Sequence, residues 1–170
     1  NIYFNGDIEM ENITALNKEI RYLTQDMQAM QTSYGMAEPP PIKLHITSYG
    51  GSIHAAFSAI DCIVASPVPV HTIVDGYAAS SGTLISVCGA HRSIRPNADM
   101  LIHQLRAGIW GTETEILEYS ENIEQLSDKL VAHYVKYTKM KASQLRKILK
   151  SDYDWLPAEC LRRGLVDEIL

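Results

Sequence analysis

Long apolar runs are missing from this 170-residue chain: none approaches the roughly 18 residues that a bilayer crossing demands. No charged-then-apolar segment of the signal-peptide kind opens it either. Cysteine is scarce. Cys62, Cys88 and Cys160 are odd in number and widely spaced, which excludes a disulfide frame or zinc site and fits reduced core thiols of a cytoplasmic protein. Positive charge is in deficit, with 15 lysines and arginines against 20 acids and a net charge of −5. Nucleic acid and anionic membrane surfaces are thereby excluded as main partners. Lysine is absent between Lys43 and Lys129, so no lysine base is available in the middle of the chain. No histidine pair has metal-ligand spacing with a carboxylate, and no metal is expected. The chain opens at Asn1 rather than Met, so some sequence before it is expected to have been trimmed.

What is present suits one soluble α/β domain over residues 1–170, with hydrophobic content of 46% and enough length for a real core. Ile2-Tyr3-Phe4 reads as a short strand. Asn12 is placed to cap a helix with apolar positions Ile13, Leu16, Ile20, Leu23, Met27 and Met30. Pro39-Pro40-Pro41 marks an extended surface loop. Ile42–Thr47 is a strand, a helix runs through Ala55 to Val64, and Val70–Val74 is the next strand. Strand and helix alternating at such intervals predict a mostly parallel sheet. Functional groups in such sheets gather at the carboxyl ends of the strands. Gly50-Gly51, Ser80 and His103 each follow an apolar strand run, so all three are expected at one edge. Thr112 and Glu115 form a capping box for a helix to about Thr138. At 1.5 Å per residue it is roughly 39 Å long, more than one domain of this size needs, which predicts an oligomer. Asp152-Tyr153-Asp154-Trp155 reads as a polar loop and His91 as a loop residue. Pro157 opens a last helical turn that Gly164 ends.

The stretch Asp75 to Gln104 carries the chemistry. A strand turns into an apolar helix through small residues, Gly76-Tyr77-Ala78-Ala79-Ser80-Ser81-Gly82. Such a turn presents a hydroxyl beside the unsatisfied N–H groups and positive dipole end of a helix. Ser80 can serve as nucleophile and His103 as its base. Gly51 and Ser81 can offer backbone N–H groups to an oxyanion. The orienting carboxylate can be Asp152, Asp154 or Asp167; spacing alone leaves these open. A serine at a helix start is more often only a cap, contributing about 1 kcal/mol, so the case rests on the constellation.

Four segments in order, Ile46-Thr47-Ser48-Tyr49-Gly50-Gly51-Ser52, Gly76 to Gly82, Met100-Leu101-Ile102-His103-Gln104 and Gly164-Leu165-Val166-Asp167, resemble the signatures of the proteolytic subunits of the Clp protease (the ClpP family). The resemblance covers essentially the whole chain. It implies a crotonase-type ββα superhelix with a projecting handle helix (about residues 105–138, including a glycine-containing strand). It implies a serine endopeptidase degrading unfolded polypeptides in two stacked heptameric rings, homo-oligomeric or mixed with a paralogue. An AAA+ unfoldase would use the ATP, and this subunit would need no cofactor. By position Ser80 matches the nucleophile, His103 the base, and Gly51 and Ser81 the oxyanion donors. Counting without gaps from Gly164 and from His103 puts the aspartate on Asp152. Tyr49 and Leu105 stand where the family usually has proline, and the family's N-terminal pore loops are not seen, which suggests a divergent branch. A second expectation follows from that divergence, a ring subunit that cuts poorly or not at all and assembles with an active paralogue.

Overall fold

The computed structural model describes residues 1–170. Its centre is β3 (Val70–Ala79), the longest strand, whose small and β-branched residues suit a surface packed on both sides. β2 (Ile42–Ser48) runs parallel to it on one side, and β1 (Ile2–Asn5) runs parallel to β2. On the other side β3 pairs successively with β4 (His91–Ile94) and β5 (Asp99–Leu101). A short terminal strand, β7 (Glu168–Ile169), closes the edge beside β4. All these pairs are parallel, as the alternation of strands and helices predicted. The one antiparallel pair joins β5 to β6 (Asp154–Trp155).

Helices α1 (Met10–Tyr34), α2 (Ile53–Ala65) and α3 (Ser81–Ser86) bury apolar stripes against the core. The edge strand β1 alternates, with Ile2 and Phe4 buried and Tyr3 exposed, whereas β2 and β3 bury the consecutive runs Leu44-His45-Ile46 and Thr72-Ile73-Val74. Runs of that kind belong to the middle of a parallel sheet covered on both faces. α1 begins before the expected cap: Glu9 stands at the N-cap, and Asn12 instead donates to the Asp7 carbonyl (2.9 Å). The bridge between Ile8 and Gly51 pins the chain there, so it enters the helix early. His91 lies in β4 rather than a loop, because its backbone pairs with His71. Asp154-Trp155 is likewise a strand, recruited by β5.

α4 (Glu113–Tyr137) has the expected Thr112–Glu115 capping box. Its last two turns are rooted: Leu130, Val131, His133 and Tyr134 are buried, and His133 Nε2 bonds the Leu84 carbonyl (2.8 Å). Burial depresses the His133 pKa, so its neutral form suits that contact. The first half of α4 stands away from the core, with Ile116 and Leu117 exposed. No strand forms at Ala107–Gly111, where a glycine-containing strand was expected; an extended segment needs a partner to become one. α5 (Ala142–Ile148) and α6 (Pro157–Arg163) close the domain, with Gly164 ending α6 in the left-handed region. Arg92 ties these parts together by donating to the Tyr137 and Gly164 carbonyls and to Asp167. The guanidinium holds the Asp167 carboxyl below its usual range.

Candidate active site

The serine turn is strained where chemistry would use it. Ser80 has φ 55° and ψ −127°, and it is the one non-glycine residue of the chain with positive φ. Such a backbone costs on the order of 1–3 kcal/mol and persists only where the surroundings impose it. Here they do. The Ser80 N–H donates to the Leu101 carbonyl at the end of β5 (2.8 Å). Its carbonyl accepts from the Thr83 N–H (3.0 Å) and from Thr83 Oγ1 (2.7 Å). Because Thr83 spends its proton there, the Tyr134 hydroxyl donates to Thr83 Oγ1 (2.5 Å). The root of α4 thus braces the turn through a fully buried tyrosine. The Ser80 hydroxyl itself makes no capping bond to α3. A plain N-cap would make one.

Two glycines complete the wall beside Ser80. Gly50 has φ 103°, and a Cβ there would stand 2.7 Å from the Ser80 Cβ. Gly51 has φ 145°, and a Cβ there would run into the Ile8 carbonyl. Ile8 donates to the Gly50 carbonyl (2.8 Å) and accepts from the Ser52 N–H (2.7 Å), which leaves the Gly51 N–H outside the bridge. Ser81 Oγ donates to the Gly51 carbonyl (3.1 Å), locking the glycine turn to the start of α3. Ser81 is the first residue of α3, so its own N–H has no intrahelical acceptor. The Gly51 and Ser81 N–H groups are therefore left without a main-chain acceptor next to Ser80.

Ser80, Ser81, Gly51 and His103 line one 490 Å³ cavity, together with Tyr49, Arg106 and α4 residues Ile123, Leu126 and Leu130. The parallel strands deliver these groups to a common edge, where helix α4 roofs them. The proposed carboxylates are placed differently. His103 Nδ1 is buried and has no hydrogen-bond partner. Asp152 lies on the segment flanking His103 and is ion-paired with Arg106. Asp154 accepts from the Tyr77 hydroxyl (2.6 Å), and Asp167 is held by Arg92 on the far side of β4 (2.5 Å). Burial, then the Asp154 contact, pushes the Tyr77 phenol above its ordinary pKa, so it stays a donor. Serine, histidine and both amides are brought together, while no aspartate meets the imidazole.

The other nucleophiles offer nothing comparable. Burial raises the Cys88 and Cys160 thiols to about 12, and half-buried Cys62 is raised in the same direction. Thiolate is the reactive form, so these are inert. No group of three or more His, Cys, Asp or Glu side chains is arranged to hold a metal ion, and no helix is long and apolar enough to cross a membrane. Sequence reasoning missed Arg106 and the Thr83–Tyr134 brace. Arg106 did carry a signal, being the one lysine or arginine between Arg95 and Lys129 in an acid-rich stretch. Tyr134 carried none apart from its place in an apolar stripe.

Gly51→Ala tests the wall. An alanine Cβ has to displace the Ile8 backbone and adopt a forbidden φ, turning the Gly51 N–H away from the cavity. Were Gly51 an oxyanion donor, hydrolysis of a peptide would fall roughly 10²–10³-fold in this variant, the usual loss for one such donor. The measurement is kcat on a short fluorogenic peptide, and full activity would remove Gly51 from the donor role.

A family model described as Clp protease matches residues 7–170. The ATP-dependent Clp protease proteolytic subunit of Deinococcus radiodurans is 30% identical over 131 residues. That match takes in 76% of this chain and spans 64% of the relative's length.

Proposed function

The chain belongs to the Clp protease family, and from that premise we propose that it is a serine endopeptidase subunit acting on unfolded polypeptide. The observation that supports this best is the strained Ser80 turn, whose uncapped hydroxyl shares a cavity with His103 and two free amides. His103 takes the Ser80 proton as the hydroxyl oxygen attacks a peptide carbonyl. The developing oxyanion accepts hydrogen bonds from the Gly51 and Ser81 N–H groups. His103 then returns the proton to the departing amine, leaving an acyl-enzyme on Ser80 that water hydrolyses. No cofactor takes part in this subunit's chemistry; ATP would be used by a partner unfoldase.

Assembly is part of the proposal. Ile116 and Leu117 on α4 and Trp110 before it are exposed apolar groups, Trp110 at 98%. A helix standing off its own core with such residues is suited to packing on a second copy. We place it between two stacked rings of seven, with the cavity opening onto an enclosed chamber. A second reading, a structural ring subunit assembled with an active paralogue, is favoured by the unpartnered His103 Nδ1.

The deciding experiment treats the assembled protein with a fluorophosphonate probe and maps the adduct by mass spectrometry, with His103→Ala as control. Stoichiometric labelling of Ser80, lost in the control, is expected. A folded ring that takes no label would favour the structural reading.

A further inference from the structure

The catalytic cavity holds a cation that the proposed chemistry leaves unused. Arg106 lines it beside Ser80 and His103, and its guanidinium is paired with Asp152. Two anchors set the segment that carries this aspartate alongside the one that carries His103. Leu101 pairs with Asp154 across the β5–β6 ladder, and the Gln104 N–H donates to the Leu149 carbonyl (2.7 Å). Between those anchors, Ile102 and His103 face residues 150–153, so Asp152 belongs to the segment opposite His103. Asp154 is occupied by Tyr77 on the neighbouring strand. His103 Nδ1, buried and unpaired, is the one ring nitrogen in the chain for which burial leaves an unmet hydrogen bond. Such a group is expensive to maintain unless an alternative arrangement satisfies it.

We infer that Arg106 and His103 compete for Asp152, and that Arg106 is a positioning residue that holds this peptidase in a resting arrangement. The inference rests on the serine-peptidase reading above. In the resting arrangement Asp152 faces Arg106 and the imidazole lacks its orienting carboxylate. In the working arrangement Asp152 accepts from His103 Nδ1–H and Arg106 swings free. The Arg106 and Asp152 side chains are 74% and 49% exposed, so their ion pair is weak. It therefore biases the two arrangements by only about two- to fivefold, and the apparent rate is scaled by the competent fraction. That makes Arg106 a damper on turnover rather than a lock. Beyond the Gln104 anchor, residues 106–111 have no regular structure to hold them in place, and they lead directly into α4. A partner packed on that segment would draw Arg106 away and release Asp152.

The test compares wild type, Arg106→Ala, Arg106→Lys and the double variant Arg106→Ala/Asp152→Asn. Two readouts are taken: fluorophosphonate labelling rate and steady-state peptide hydrolysis, at low ionic strength and at about 1 M salt. There the Debye length is only about 3 Å. Arg106→Ala should raise the labelling rate and kcat two- to fivefold with KM little changed, and Arg106→Lys should restore most of the restraint. Salt should accelerate wild type and leave Arg106→Ala unmoved. The double variant should lose the gain, because no carboxylate remains to release. An Arg106→Ala enzyme that labels no faster than a labelled wild type, or keeps its salt response, overturns the competition alone. If neither protein labels, the nucleophile assignment fails and the competition with it. Arg106 is exposed, so its replacement does not threaten the fold.

Discussion

Ser80→Ala should reduce peptide hydrolysis by about 10⁶-fold and abolish fluorophosphonate labelling, a loss of the size seen when a hydrolase nucleophile is removed. Stability should scarcely move. The Ser80 hydroxyl caps nothing in α3, so the variant loses no structural hydrogen bond, and alanine has the same Cβ to place at φ 55°. Were Ser80 an ordinary N-cap, the result would be reversed, with stability lower by about 1 kcal/mol and activity intact. Ser80→Gly sharpens the comparison. It should be as inactive as the alanine variant but more stable, by roughly 1 kcal/mol or more, because glycine relieves a backbone that other residues rarely adopt. Urea unfolding and initial rates on one fluorogenic peptide separate the two accounts. Equal activity in Ser80→Ala and wild type would end the serine-peptidase reading.

The serine turn was legible because each of its parts is local. Small residues after an apolar strand and before an apolar helix are a one-dimensional pattern, and so are Gly50-Gly51 and the Thr112–Glu115 box. Parallel pairing followed from the spacing of strands and helices, and the common edge followed from parallel pairing. What stayed hidden depends on who pairs with whom. β6 is two residues long and exists only because β5 offers it a ladder. The Thr83–Tyr134 bond joins residues 51 positions apart, and nothing in either neighbourhood announces it. The carboxylate was the hardest element for the same reason. Asp152, Asp154 and Asp167 sit in similar polar surroundings along the chain, and their separation comes from three different partners, Arg106, Tyr77 and Arg92. A gap-free count can select Asp152, but it cannot show that its carboxylate is engaged by a cation.

Those partners also decide what the carboxylate variants should do. Asp152→Asn should lower kcat by about 10⁴-fold, equivalent to about 5.4 kcal/mol of transition-state stabilisation, with the fold retained. The amide offers an N–H where the imidazole needs an acceptor, so it favours the wrong tautomer of His103. The resting pair with Arg106 does not soften this loss. An exposed ion pair biases the arrangements only a few-fold, whereas the missing carboxylate acts on every turnover. Asp154→Asn should behave differently, since its acceptor role toward Tyr77 survives in the amide oxygen, and kcat should fall less than about tenfold. Tyr77→Phe deletes that bond outright and should cost somewhat more than Asp154→Asn, still far short of about 10⁴-fold. Asp167→Asn weakens a clamp on Arg92 and should appear in stability rather than kcat. Three kcat values and three unfolding midpoints therefore assign the orienting group. If Asp154→Asn gave the 10⁴-fold loss and Asp152→Asn did not, the imidazole would take its carboxylate from β6, and Tyr77, not Arg106, would be the group competing for it.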